Sequence, residues 1–358
     1  MYQPTADINL SALNHNLTQI KKRVKHANVL AMVKADGYGH GIVPVAQSLA
    51  AANAFGVARA SEAKELVDAQ INKPVVLVEG CFDLDEYQWA LQSGVQVAIH
   101  TPVQLEQFLS LKTSKRITVW LKLDTGMHRL GFSPTQFKTA FQQLEQCQHC
   151  VDIISMTHFA CADDLENPLN EMQLSEFEQT CSGLEGQQSV ANSALILSRP
   201  DKIKDWVRPG IALYGSSPIE GSQSQDFDLR PVMTFKANII AINAIPKGHT
   251  VGYGCGWTAD KDSTIAVVAV GYGDGYPRHA QNGTPVLIND QKAPLVGRVS
   301  MDMITVDISE LTNVNIGDSV VLWGEGLPAE EIAICASTIS YTLFCGITRR
   351  VKRNYIRA

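Results

Sequence analysis

Eight short apolar runs alternating with helical segments place this chain among the α/β proteins, and eight is the number of parallel strands that closes a TIM barrel. Two further observations complete the expectation: the alternation stops near residue 229, and the remainder reads as β. The predicted architecture is a (β/α)8 barrel over residues 1–229 followed by a mostly β domain over residues 230–358. A length of 358 residues by itself favours two domains over one. The competing architecture, a doubly wound sheet, carries G-x-G-x-x-G after its first strand, whereas the loop here reads G-x-G-x-G from Gly37 to Gly41.

The barrel strands are expected at Asn28–Val33, Ala54–Ala60, Pro74–Val78, Val95–His100, Ile117–Leu123, Ile153–His158, Ser189–Asn192 and Val207–Tyr214. Between them, segments such as Val43–Ala52, Ser61–Gln70, Pro102–Leu111 and Ser133–Gln146 carry apolar residues three and four apart among helix formers. The polar stretch GSQSQDFD (221–228) then separates the halves. Beyond it, Val232–Ile245 and Ser263–Val270 are long β-type runs. Pro285–Val296 reads as a hairpin turning at Asn289-Asp290, and Ile304–Ile308 and Ser319–Trp323 are further strands. Only Ala329–Ser337 in this half has a helical pattern.

Composition narrows the class. A hydrophobic fraction of 45% with 18% charged residues is that of an ordinary globular protein. The net charge of −6 is mild and spread along the chain, with no basic stripe, so neither nucleic acid nor an anionic membrane is an expected partner. The N-terminal MYQPTADINL has no signal-peptide pattern, and no apolar run approaches a membrane span, so a cytoplasmic protein is expected. Its eight cysteines are scattered, as in a reduced enzyme. Cys147 and Cys150 form a lone CxxC, which without a second pair reads as two helix-end thiols rather than a metal site.

The stretch AMVKADGYGHG (31–41) ends an apolar strand with a lysine and then strips bulk from the backbone. In a barrel, groups at strand C-termini face the mouth where chemistry occurs. Partial desolvation there favours a neutral amine, and Lys34 then suits covalent capture of a carbonyl as a Schiff base. The glycines would let the backbone pass close to a ligand. A snorkelling lysine followed by an ordinary turn explains the same residues. Other strand ends favour the chemical reading. Ser193 in ANSA (191–194) and Gly210 in RPGIALYG (208–215) follow strands seven and eight, where barrels commonly bind phosphate. A Schiff-base lysine opposite a phosphate site describes pyridoxal 5'-phosphate, and Arg208 stands where a partner for its ring nitrogen is needed.

Along essentially the whole chain these stretches resemble the alanine racemase family. AMVKADGYGHG is similar to its lysine motif, LKLDTGMHRLGF (121–132) to its mid-barrel motif and THFACAD (157–163) to its histidine segment. VGYGCGW (251–257), VGYGDGYPR (270–278), VGRVSMD (296–302) and TISYTLFCGITRRVKRNY (338–355) resemble motifs of its second domain. The resemblance implies that Lys34 holds the cofactor and is one catalytic base, and that Tyr253, supplied by the partner subunit of a homodimer, is the other. It implies a phosphate site of Tyr38, Ser193, Gly210, Ile211 and Tyr341, with His158 against the pyridine ring and near Arg208. Arg129 is implied at the phenolic oxygen and the substrate carboxylate, and the Met301 backbone at the substrate. Tyr272 and Asp302 would line the access channel, and Tyr272 with Met301 would narrow the site, which favours a side chain as small as methyl.

Lys122 matches a lysine that is carbamylated in some members of the family; an unmodified lysine paired with Asp124 is the alternative. An arginine beside the ring nitrogen opposes its protonation, since two cations would be adjacent. That weakens the cofactor as an electron sink and favours racemisation over decarboxylation and transamination. No metal is implied, and D-alanine for peptidoglycan is the expected use in a bacterial source. The rival readings are a broad-specificity racemase or related barrel decarboxylase, and a non-catalytic cofactor-binding protein. A carboxylate in place of Arg208, or the lack of a second domain with its Tyr253, would have favoured them.

Overall fold

A computed structural model describes residues 3–357. Eight parallel strands close a barrel: β2 (Asn28–Met32), β3 (Ala54–Val57), β4 (Val75–Leu77), β5 (Gln96–Ile99), β6 (Ile117–Lys122), β7 (Cys150–Met156), β8 (Gln187–Asn192) and β9 (Trp206–Arg208). The ring shuts where Val29 of β2 pairs with Val207 of β9. Val29, Leu30, Ala31, Val57, Val76, Val97, Val119 and Leu121 are buried, as near-continuous apolar runs in a parallel sheet require. Helices begin where the sequence offers caps. Thr101 and Asp83 accept from the amides of Gln104 (3.2 Å) and Glu86 (2.8 Å), and Ser133 precedes Pro134.

The remaining strands build the second domain. They are β1 (Thr5–Asn9), β10 (Met233–Ile245), β11 (Thr250–Val251), β12 (Trp257–Thr258), β13 (Ser263–Val268), β14 (Pro285–Ile288), β15 (Gln291–Pro294), β16 (Ile304–Asp307), β17 (Ser319–Trp323) and β18 (Lys352–Ile356). The long β10 pairs with β1, β13 and β17, and its core is filled by Phe235 and Trp323, whose ring centroids lie 4.7 Å apart. The hairpin turns where expected. Asn289 and Asp290 both have positive φ (48° and 62°), as a two-residue turn matched to the twist of its strands demands.

Several expectations need correction. No element was expected before residue 28, yet β1 joins the second domain's sheet, antiparallel to β10 and parallel to β18. Thr5–Asn9 therefore belongs to the β domain's sheet rather than to the barrel. Helix Leu10–Val24 follows, capped by Asn9 and buried along Leu13, Leu17, Ile20 and Val24. Its interior Asn14, Asn16 and Thr18 are weak helix formers, which hides it in the sequence. Asn16 is buried because its amide spans Leu213 O (3.0 Å) and Arg230 O (2.8 Å) and accepts from Arg230 N, pinning the barrel to the domain link. The eighth strand stops at Arg208 instead of Tyr214. Pro209 has no N–H to extend the ladder, and Ile211–Tyr214 winds into a 3-10 turn. A second helix, Ser340–Cys345, was missed in the β half. Cys147 follows a helix but Cys150 opens β7, and both thiols are free. No helix among the described residues is long and apolar enough to cross a membrane.

Candidate active site

Lys34 leaves the end of β2 into a cavity of about 550 Å3 at the barrel mouth. The turn that presents it is wound left-handed: Ala35, Asp36, Gly37 and Tyr38 all have φ between 52° and 61°. Left-handed backbone costs about 1–2 kcal/mol for each residue bearing a side chain, so the surroundings must hold it. Glu62 does so from the helix that follows β3, accepting from Ala35 N (2.6 Å), Ala58 N (2.8 Å) and Arg59 N (3.0 Å). Arg353 of β18 does so from the second domain, through Gly39 O (2.7 Å) and Asp36 (3.1 Å).

The glycines of this loop have a different task from the one expected. A Cβ on Gly39 would lie 2.0 Å from Phe344 O, and one on Gly41 would lie 2.1 Å from the Tyr355 hydroxyl. Gly39 and Gly41 admit the C-terminal segment, and Gly37 packs against Val45 and Ile42. Through that contact the helix Ser340–Cys345 lays Tyr341 over the barrel mouth, 5.9 Å from the Tyr38 ring.

One end of the cavity is built for an anion. Ser193 opens a short helix capped by Asn192, and its Oγ accepts from Gly210 N at 2.8 Å and Ala212 N at 3.4 Å. Ile211, between those two residues, begins a turn whose leading amides have no acceptor within it. Tyr38 stacks on Tyr214 at 4.7 Å and rests its hydroxyl against Gly210, where a Cβ would come within 2.3 Å of it. Burial, with Tyr341 as the next cause, raises Tyr38 far above the usual phenol range, so this hydroxyl is a donor at any physiological pH.

Much of the remaining wall is cationic. Arg208 is buried with no carboxylate partner among the described residues. Its Nη1 donates to Ser189 O (2.9 Å) and Ser189 Oγ (2.6 Å), and its Nη2 to Thr157 O (2.6 Å). Nη2 also approaches His158 Nδ1 at 3.3 Å, a contact that needs the imidazole neutral. Burial, then Arg208 and Lys122, holds His158 well below the ordinary histidine range. Burial lowers Arg208 itself to about 10, which leaves it charged at neutral pH. Lys122, at the end of β6, is brought down to about 8 by burial and by Arg208, Arg129 and Lys34. The alternative considered for Lys122, a pairing with Asp124, does not form. Asp124 instead accepts from Gly126 N (3.0 Å) and His128 N (3.0 Å) and meets the His128 ring at 3.1 Å.

The sequence model of the alanine racemase N-terminal domain matches residues 8–218, and that of its C-terminal domain matches residues 232–355. The alanine racemase of Aeromonas hydrophila is 45% identical over 352 residues, covering 98% of this chain and 99% of its own. That of Shewanella woodyi is 46% identical over 349 residues, covering 97% and 98%. The chain belongs to the alanine racemase family. The biosynthetic alanine racemase of Pseudomonas aeruginosa superposes with a TM-score of 0.97 at 40% identity, covering all of both chains. A Bartonella henselae alanine racemase with covalently bound pyridoxal phosphate superposes with a TM-score of 0.90 at 30% identity over 99% of each chain.

Of the residues singled out in this alanine racemase family sequence, ten line the one cavity: Lys34, Tyr38, Lys122, Arg129, His158, Ser193, Arg208, Gly210, Ile211 and Tyr341. Tyr253, Tyr272, Met301 and Asp302 do not line it. They lie on loops of the β domain, where Tyr253 is 72% exposed and Met301 52% exposed. Glu79, the carboxylate on the cavity wall, was not anticipated; it pairs with Arg59 at 3.0 Å. It stands two residues beyond β4, so the strand-end rule that found Lys34 would have found it too. Cys345 also lines the cavity and carried no signal of its own.

Proposed function

We propose that this chain interconverts L-alanine and D-alanine with pyridoxal 5'-phosphate as cofactor, in the cytoplasm, as a homodimer whose active sites are shared. The observation that carries the reading is the placement of Lys34 in a cation-lined cavity that ends at the Ser193–Gly210 cradle. The cavity volume suits a ligand of this size. Gly210 leaves room for the Tyr38 hydroxyl beside the cradle, and the leading amides of the Ile211 turn suit a phosphate. Lys34 would hold the cofactor covalently, with Tyr38, Ser193, Gly210, Ile211 and Tyr341 at its phosphate and His158 and Arg208 at its ring.

The bound cofactor would supply an electron sink that acidifies the α-hydrogen of an amino acid. The chain's own residues supply the rest. Arg208 is a fixed cation held by three oxygens, and a second positive charge at the ring nitrogen beside it is disfavoured. Arg208 would thereby keep a bound cofactor a weak electron sink, so that a proton removed would soon be replaced. Arg129, which lines the same mouth, would hold the substrate carboxylate, while Met301 and Tyr272 would limit its side chain to methyl. Lys34 Nζ takes or gives the α-proton on one face. Inversion needs a second base on the other face, and Tyr253 is the residue assigned to it. Its exposure and its absence from the cavity of its own chain fit delivery to the partner's site. D-alanine for peptidoglycan is the use this product would have in a bacterial cell. Incubating the purified protein with L-alanine and separating the enantiomers should show D-alanine rising to near equality; no D-alanine would sink the reading.

Lys122 fits carbamylation better than a free ammonium. A buried amine lowered to about 8 among three cations loses its charge readily, and a carbamate would turn it into an anion facing them. Protein exchanged into 13C-bicarbonate should show one carbamate carbon resonance that is missing from Lys122→Arg. An unchanged spectrum in that variant would rule the modification out.

A further inference from the structure

The loops that carry Tyr272 and Met301 are locked to each other by a residue with no assigned role. Gly271 opens a turn through Tyr272–Asp274, and its own N–H donates to Asp274 Oδ2 at 2.9 Å. Tyr272 N donates to Ser300 O at 3.0 Å and Gly273 N to Met301 O at 2.9 Å. The two loops therefore form a single ledge. Arg350, just before β18, lies across its back. Its Nη2 donates to Asp302 at 2.7 Å, and its Nε stands 3.2 Å from Asp274 Oδ1. The guanidinium also packs on Gly273, where a Cβ would lie 2.3 Å from Nη1. Asp274 is 2% exposed, and Arg350 is its ion-pair partner among the described residues.

We propose that Arg350 is a specificity-determining positioning residue: by bridging Asp274 and Asp302 it fixes the separation of Tyr272 and Met301, and so the width of the side-chain end of the site. The inference rests on the activity proposed above. The chemistry is that of a planar fork whose separate nitrogens reach two carboxylates at once, a geometry a lysine cannot reproduce. Thr348 supports the same clamp, with its Oγ1 donating to Gly273 O at 2.9 Å. Nothing in the arrangement touches the reacting atoms, so its loss should act on substrate fit more than on proton transfer.

The test compares alanine with 2-aminobutyrate, one methylene longer, on the holoenzyme dimer. Arg350→Met should raise the alanine KM about tenfold with kcat little changed, and raise the 2-aminobutyrate to alanine ratio of kcat/KM at least about threefold, since one methylene is a matter of pocket width. Arg350→Lys should restore neither fully. Hydrogen exchange at the Tyr272 and Gly273 amides should quicken in the same variant while the barrel amides stay protected. If Arg350→Met is unstable because Asp274 is left buried without a counterion, Asp302→Asn removes only the exposed arm. It should move the substrate ratio the same way by a smaller factor. A ratio and exchange pattern unchanged in a folded dimer would overturn the clamp. Should the unaltered chain racemise nothing, the activity reading fails by itself, and amide exchange still judges the clamp.

Discussion

Replacing Lys34 with alanine should reduce racemisation by ~1000-fold or more, since the cofactor anchor and one of the two bases are lost together. The cavity offers two lysines, which makes the experiment discriminating. Lys122 also lines it, and an amine lowered to about 8 is itself a fair nucleophile. Position favours Lys34. It sits on the left-handed turn held by Glu62 and Arg353, while Lys122 is only 6% exposed at the end of β6 and feels the charges of Arg208, Arg129 and Lys34. Borohydride reduction of the holoenzyme followed by peptide mapping should therefore place the cofactor on the peptide containing Lys34. A label on Lys122 would reverse the two roles. In Lys34→Ala the thermal transition should survive, because the side chain contributes to cavity wall rather than to core.

The barrel was legible because its strands are apolar runs of the right length, and β10 and the Asn289-Asp290 hairpin were legible for the same local reason. Local signals also misled. Val207–Tyr214 is as apolar as any strand, but Pro209 ends the ladder within it. The helix Leu10–Val24 was invisible because its interior is rich in weak helix formers, and the buried Asn16 among them is satisfied by Arg230 and Leu213, some two hundred positions away. The glycine-rich loop is the clearest case. Its composition announces a close approach but not of what, and Gly39 and Gly41 turn out to admit Phe344 and Tyr355 from the far end of the chain. Residues of the barrel mouth could be found by the strand-end rule. Those of the β-domain loops could be named only by resemblance, since no pattern in one chain tells which chain's cavity Tyr253 serves.

That ambiguity can be resolved with two inactive proteins. Lys34→Ala and Tyr253→Ala homodimers should each be nearly inactive, because every site lacks one base. Neither change should prevent folding, as Tyr253 is 72% exposed and Lys34 faces a cavity. After dissociation, mixing in equal amounts and reassociation, random exchange makes about half the dimers mixed. In a two-fold dimer that shares its sites, one site of each mixed dimer receives both altered residues and the other receives an intact Lys34 with an intact Tyr253. About a quarter of the unaltered activity should return. If Tyr253 instead folds over the cavity of its own chain, each site in the mixture still lacks one base and nothing returns. Subunit exchange is checked separately by mass spectrometry of differently tagged chains. With exchange confirmed, silence from the mixture would mean that the exposed tyrosine reaches Lys34 within one subunit, and the shared-site dimer would have to be abandoned.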